Sequence, residues 1–315
     1  MIRTPTKRRG RFDSAITWQF IAMTIPGLIL LGIFSYIPLV GMIIAFKEYR
    51  PLDGLFGSAW VGFKNFEFLF GSESTWRITW NTLYLNGLFI ITSTVAALTL
   101  AIMIGESQSR SRVGKTLSSF YQSALFFPFF ISYVIVSYFM FALLDADNGM
   151  INRILISFGQ APINWYASPQ YWTVILVITN LWKTVGFSVI IYLSGLLSID
   201  HTYYEAAEID GATKWQQIRF ITLPFLMPLV IMTVLLAIGR IFFADFGLFY
   251  FVPRDQSLLY PTTDVVDTFV FRALRNLGDF GMAGAAAFYQ SVIGFVLIVV
   301  ANWIVRWRDP ERALF

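Results

Sequence analysis

With 315 residues that are 57% hydrophobic, 18% aromatic and only 13% charged, the chain carries about half the charged share of a soluble domain and reads as a membrane protein. It has no cysteine and one histidine, His201, which excludes disulfides, iron–sulfur clusters, thiolate or all-histidine metal sites and cysteine nucleophiles; no metal ligand and no catalytic residue is expected. The net charge of +4 does not point to nucleic acid, because the basic residues gather at the ends of apolar runs, where orientation in a bilayer accounts for them.

Crossing about 30 Å of hydrocarbon takes about 20 residues of helix. Six runs qualify, at about 18–46, 78–104, 117–143, 171–197, 225–244 and 281–305. Lipid cannot satisfy open backbone groups, so each run is expected as a complete helix, and the alternation of a membrane barrel is absent. The expected fold class is an all-α membrane protein of six transmembrane helices. Residues 18–315 form its single membrane domain behind a basic N-terminus, residues 1–17.

Lys7, Arg8, Arg9 and Arg11 precede a first run too long for a signal-peptide core, so that run is expected to remain as an anchor. The positive-inside bias places these residues in the cytoplasm, together with Arg110, Arg112 and Lys115 after the second run and Arg306, Arg308 and Arg312 at the end. Both termini are then cytoplasmic. Loops 47–77, 145–170 and 245–280, whose acids match or outnumber their bases, lie on the opposite face.

Loop 198–224 breaks this pattern. It is cytoplasmic by count yet net acidic, with Asp200, Glu205, Glu208 and Asp210 against Lys214 and Arg219. Thr202 with Glu205, and Thr213 with Gln216, have the spacing of capping boxes and predict two helix starts. Gly211 suits the left-handed position that closes the first helix, and Pro224 is expected to open the fifth span. Ala206 and Ala207 have almost no side-chain bulk, so another protein could approach the backbone closely.

The order Glu205-Ala206-Ala207, three residues, Gly211, nine residues, Ile221, one residue, Leu223-Pro224 resembles the EAA loop of binding-protein-dependent ABC importer permeases. PLVGMIIAFKEYRP (38–51), WVGFKNFEFLF (60–70), WNTL (80–83) and GMAGAAAFYQSVIG (281–294) are similar to the carbohydrate-uptake branch, and most of all to its oligosaccharide and polysaccharide subgroup. The resemblance implies a bacterial inner-membrane subunit that is no enzyme itself and supplies half of a translocation path by alternating access. Loop 198–224 would be a coupling helix docked on a cytoplasmic ATPase. The implied partners are a second, related permease, an ATPase dimer that holds ATP and Mg, and an extracytoplasmic solute-binding protein.

Lys183 and Arg240 are the ionisable residues within the expected spans, with Asp245 near the outer end of the fifth. A cation at mid-membrane costs roughly 2.5–3.5 kcal/mol on insertion scales, so it pairs, snorkels or faces a cavity. Two readings stay open: pairing with Asp245 or snorkelling, or a place on the substrate path beside Trp182 and Tyr192, favouring an acidic, uronate-type oligomer. SRVGKT (111–116) approaches a phosphate-binding loop, but Ser109 replaces its first glycine and no strand precedes it. Asp145-Ala146-Asp147 could hold a divalent cation in a membrane glycosyltransferase, and a passive channel fits the composition; neither gives the acidic loop a purpose.

Overall fold

In lipid an apolar stretch satisfies its backbone only within itself, and in the computed structural model five stretches form helical runs long and apolar enough to cross a membrane. They are Trp18–Phe46, Ser74–Ser107, Pro169–Leu197, Lys214–Gly239 and Phe280–Arg308. The structure describes residues 14–67, 71, 73–110, 112–310 and 313–314; Lys7, Arg8, Arg9, Arg11, the last three residues of WVGFKNFEFLF, Ser111 and Arg312 lie outside these.

The stretch in third place is not the single helix expected at 117–143. It consists of Thr116–Phe130 and Tyr133–Leu144, whose axes differ by 99°. The cause is local: Pro128 stands where a 3₁₀ turn, Phe127–Phe130, ends the first arm, and Ser132 caps the second by accepting from Ile135 N–H.

The fifth run also departs from expectation. It starts at Lys214, eleven residues before the expected 225, and passes through a π turn, Ile218–Thr222, before Leu223–Gly239. Pro224 therefore lies inside a continuous helical run, directly after the wider turn, and does not open it. The run ends at Gly239 with Arg240 as its C-cap, so Arg240 stands at its end and not within it. The description all-α needs one small amendment, a two-stranded hairpin pairing Lys47 with Trp60 and Glu48 with Ala59.

Hydrocarbon tails are as apolar as leucine, so helices in a bilayer associate through close packing more than through water exclusion. The second and fourth runs pack along their length. Leu85 and Phe89 meet Trp172 and Leu176 toward one end, and Ala97, Ala101 and Ile104 meet Val185, Val189, Tyr192 and Leu193 toward the other. Small residues set the close approaches: a Cβ on Gly284 of the sixth run would come within 3.2 Å of the Ala45 backbone nitrogen.

Segment 245–280 caps the end of the bundle and is tied down by polar groups. Asn81 donates to the Pro261 and Asp264 carbonyls at 3.2 and 3.1 Å, and Val266 N–H donates to Thr82 Oγ1 at 3.0 Å. Arg272 bridges Asp255 at 3.0 Å and the buried Asp264. One carboxyl oxygen of Asp267 accepts from Ala244 N–H at 2.8 Å and from Gln290 at 3.0 Å.

Burial pushes the Asp267 carboxyl up to about 6, against the opposing pull of those two donors. Between the unfolded value near 3.8 and 6 the folded chain holds a proton that the unfolded chain has released. The resulting stabilisation is complete below 3.8 and is lost as pH rises through about 6. Thermal unfolding scans of the detergent-purified protein should show a melting temperature that falls between pH 5 and pH 7, with Asp267→Asn flattening that slope. Equal slopes in the two proteins would rule the assignment out.

Candidate coupling site and substrate path

Loop 198–224 is a compact helical hairpin. Its first helix is His201–Ile209, and its N-cap is Asp200, whose Oδ1 accepts from Thr202 N–H at 2.9 Å. That bond holds the Asp200 carboxyl below its usual range. The expected box of Thr202 with Glu205 is thus displaced, because an aspartate two residues earlier starts the helix and leaves Glu205 exposed. The second box forms as its spacing predicts: Thr213 Oγ1 accepts from Gln216 N–H, and Gln216 Oε1 accepts from Thr213 N–H at 2.7 Å.

Between the helices Gly211 has φ +77°, the left-handed conformation a glycine adopts without cost. Ala212 N–H donates to the Ala207 carbonyl at 2.8 Å and Gly211 N–H to the Glu208 carbonyl at 3.1 Å, the paired bonds of a Schellman turn. Across the turn Lys214 meets Glu208 at 2.8 Å; both side chains are more than half exposed, so the pair adds little stability. The hairpin is fastened to the fifth run by Tyr204 OH with Thr222 Oγ1 at 2.9 Å and by Tyr203 against Phe225.

The residues of the EAA-like pattern fall into two groups. Glu205, Ala206 and Gly211 are exposed at the outer side of the hairpin, with Ala207 half-buried behind them. Ile221 and Leu223 are half-buried where the hairpin joins the bundle, and Pro224 beside them is exposed. Glu205 also borders a cleft of about 580 Å³ between the hairpin and the ends of the second and fourth runs, lined by Glu106, Leu196, Tyr204 and Glu208.

The four path candidates are not brought together as one surface. Lys183 is only 7% exposed, and its Nζ donates to the carbonyls of Phe129 at 2.9 Å, Pro128 at 3.3 Å and Ile131. Tyr192 is 3% exposed and shares a hydrogen bond of 2.8 Å with Thr233 of the fifth run. Trp182 and Arg240 are exposed on this chain. Lys183 makes no ion pair with Asp245 within 4 Å, although that carboxylate attracts it from farther off, and it does not snorkel: the ammonium stays inside and bonds to backbone.

The break at Pro128 that receives Lys183 was not anticipated from hydropathy, although Pro128 and Ser132 in FFPFFIS were its signal. Asp145-Ala146-Asp147 forms a turn, with Asp145 Oδ1 accepting from the N–H groups of Asp147 and Asn148 at 3.2 and 2.8 Å. Among the described residues no three acidic or histidine side chains gather as metal ligands do. The part of SRVGKT that is described is helical from Arg112 and has no strand before it.

Residues 97–313 match the protein family described as the binding-protein-dependent transport system inner membrane component. The polygalacturonan/rhamnogalacturonan transport system permease protein YteP of Bacillus subtilis is 30% identical, over 97% of this chain and 93% of its own. Protein LplB of Bacillus subtilis is 32% identical over 93% and 90%. A solved bacterial ABC transporter involved in the import of the acidic polysaccharide alginate has a chain that superposes with a TM-score of 0.82 at 31% identity, covering 94% of this chain and 98% of that one. A bacterial alginate ABC transporter in complex with an alginate-pentasaccharide-bound periplasmic protein gives 0.81 at 32% identity, covering 93% and 96%.

Proposed function

Since the chain belongs to the family of binding-protein-dependent transport system inner membrane components, we propose that it forms half of the path of an ABC importer for acidic oligo- or polysaccharides. The chain is the permease subunit and not an enzyme; hydrolysis belongs to a separate ATPase. The observation that carries the substrate class is the likeness, over nearly the whole chain, to a permease of an alginate importer and to a polygalacturonan/rhamnogalacturonan permease, relatives that share uronate chemistry.

In this reading the broken pair counts as the third of six spans, both termini are cytoplasmic, and loop 198–224 docks on the ATPase dimer that binds ATP and Mg. A second, related permease completes the path, and the face made by loops 47–77 and 245–280 receives the solute-binding protein. ATP binding draws the coupling hairpins together and opens the path outward; hydrolysis returns it inward. Such coupling is a change in the relative stability of two states. A passive channel has no use for the exposed hairpin.

The test is ATPase activity of the complete importer in nanodiscs. Binding protein loaded with oligogalacturonate or oligoalginate should stimulate hydrolysis, while protein offered neutral maltooligosaccharides should not. Stimulation by the neutral sugars alone would discard the acidic substrate, and a chain that transports without ATP would discard the importer.

A further inference from the structure

Carbonyls at the end of a helix lack N–H partners, and at membrane depth lipid supplies none. At the break of the third span the carbonyls of Phe129 and Ile131, together with that of Pro128, which also accepts from Ile131 N–H at 3.1 Å, converge on the ammonium of Lys183. Lys183 stands at the midpoint of Pro169–Leu197 and is buried. Two rings close over it, Tyr133 at 4.8 Å and Phe129 at 5.8 Å from Nζ to centroid. An ammonium has three hydrogens, and three carbonyls take them.

We propose that the break is a cation site which the chain fills with its own tethered ammonium, making Lys183 the positioning residue of the third span. Unwound carbonyls and helix C-terminal ends are the groups that coordinate monovalent cations in ion-coupled carriers, and the ring faces add cation–π attraction. Here the cation is covalently part of the fourth span and cannot leave. It fixes the angle between the two arms without an ion from solution, and ties that angle to the fourth span. The same Tyr133 ring packs on Gly247, where a Cβ would come within 2.6 Å of it, so the tie continues into segment 245–280. The site is independent of which sugar is carried.

The chain has no cysteine, so labels can be placed at will. Tyr121 and Tyr138 are exposed on the two arms, and cysteines there would carry spin labels in the assembled complex in nanodiscs. A rise of 1.5 Å per residue puts the two positions about 26 Å apart in a straight helix and about 17 Å apart at the observed bend. Lys183→Ala, which leaves room at the site, should lengthen and broaden this distance, and ethylammonium or K⁺ should restore it. Lys183→Met, which fills the room with apolar atoms, should lengthen it without any response to cations.

An unchanged distance in Lys183→Ala overturns the proposal. So does a lengthened one that no cation restores, or an equal response in the Ala and Met variants. If Lys183→Ala is not recovered from membranes, Lys183→Gln decides. This variant keeps a neutral donor, and a wild-type distance there would show that charge is not required, while a lengthened one supports the cation site.

Discussion

Gly186→Ala should separate the third and fourth spans and lower the melting temperature of the assembled complex by several degrees, while Gly87→Ala should leave it unchanged or slightly raised. A Cβ on Gly186 would overlap the Leu125 carbonyl and lie 2.7 Å from the Phe126 nitrogen. Both obstacles are backbone, with no rotamer to yield. Overpacking of this kind costs about 1–3 kcal/mol where side chains can adjust, which makes that range a lower bound for a clash with main chain. A Cβ on Gly87, in the second run, meets nothing within 4 Å, so alanine there gains helix propensity of about 1 kcal/mol at no steric cost.

Position 186 is three residues beyond Lys183, so the two share a face of the fourth span. The absent side chain at 186 lets the helix approach the third span closely enough for the ammonium at 183 to reach the carbonyls of its break. Loss of melting temperature in Gly186→Ala should therefore be accompanied by the lengthened label distance of Lys183→Ala. A variant that melts like Gly87→Ala would show that the two spans separate at no cost.

The contrast between these spans shows what the amino-acid order discloses. Runs one, two, four and six are plain in hydropathy, because twenty or more apolar residues have no alternative to a helix in lipid. The third run is equally apolar, yet hydropathy carries no information about direction, and Phe127–Phe130 reads as hydrocarbon whether the axis continues or turns through 99°. The sequence leaves Lys183 between pairing with Asp245 or snorkelling and a place on the substrate path, because the groups it bonds to directly are three main-chain carbonyls, which have no letter in a sequence.

The hairpin of loop 198–224 was more legible because its devices are local. Thr213 finds Gln216 three residues on, and Gly211 needs only its own φ. Even there Asp200 and Thr202 both qualify as caps, and the helix takes the earlier one. The end of the fifth run is hidden for a related reason: Ile241, Phe242 and Phe243 are apolar enough to continue a span, but they follow Arg240 through turns, in which Ile241 N–H donates to the Ile238 carbonyl and Phe243 N–H to the Arg240 carbonyl.

Gly211→Val should abolish ligand-stimulated ATPase activity while the chain remains inserted and its bundle melts as in the parent. A Cβ at 211 meets no atom within 4 Å, so the substitution is sterically free within this chain. The penalty lies in the backbone: φ +77° costs an L-residue roughly 1–2 kcal/mol, and most for a β-branched side chain. Relief of that strain breaks the bonds from Gly211 and Ala212 to the carbonyls of Glu208 and Ala207, which set the angle between the two hairpin helices. The helix carrying Glu205 and Ala206 would then meet the ATPase at a wrong angle. Gly211→Asn separates this cause from bulk, because asparagine tolerates the left-handed region. Retained stimulation in Asn with loss in Val assigns the effect to the turn. Loss in both assigns it to a docking surface that admits no side chain at 211, and normal stimulation in Val would remove loop 198–224 from the coupling pathway.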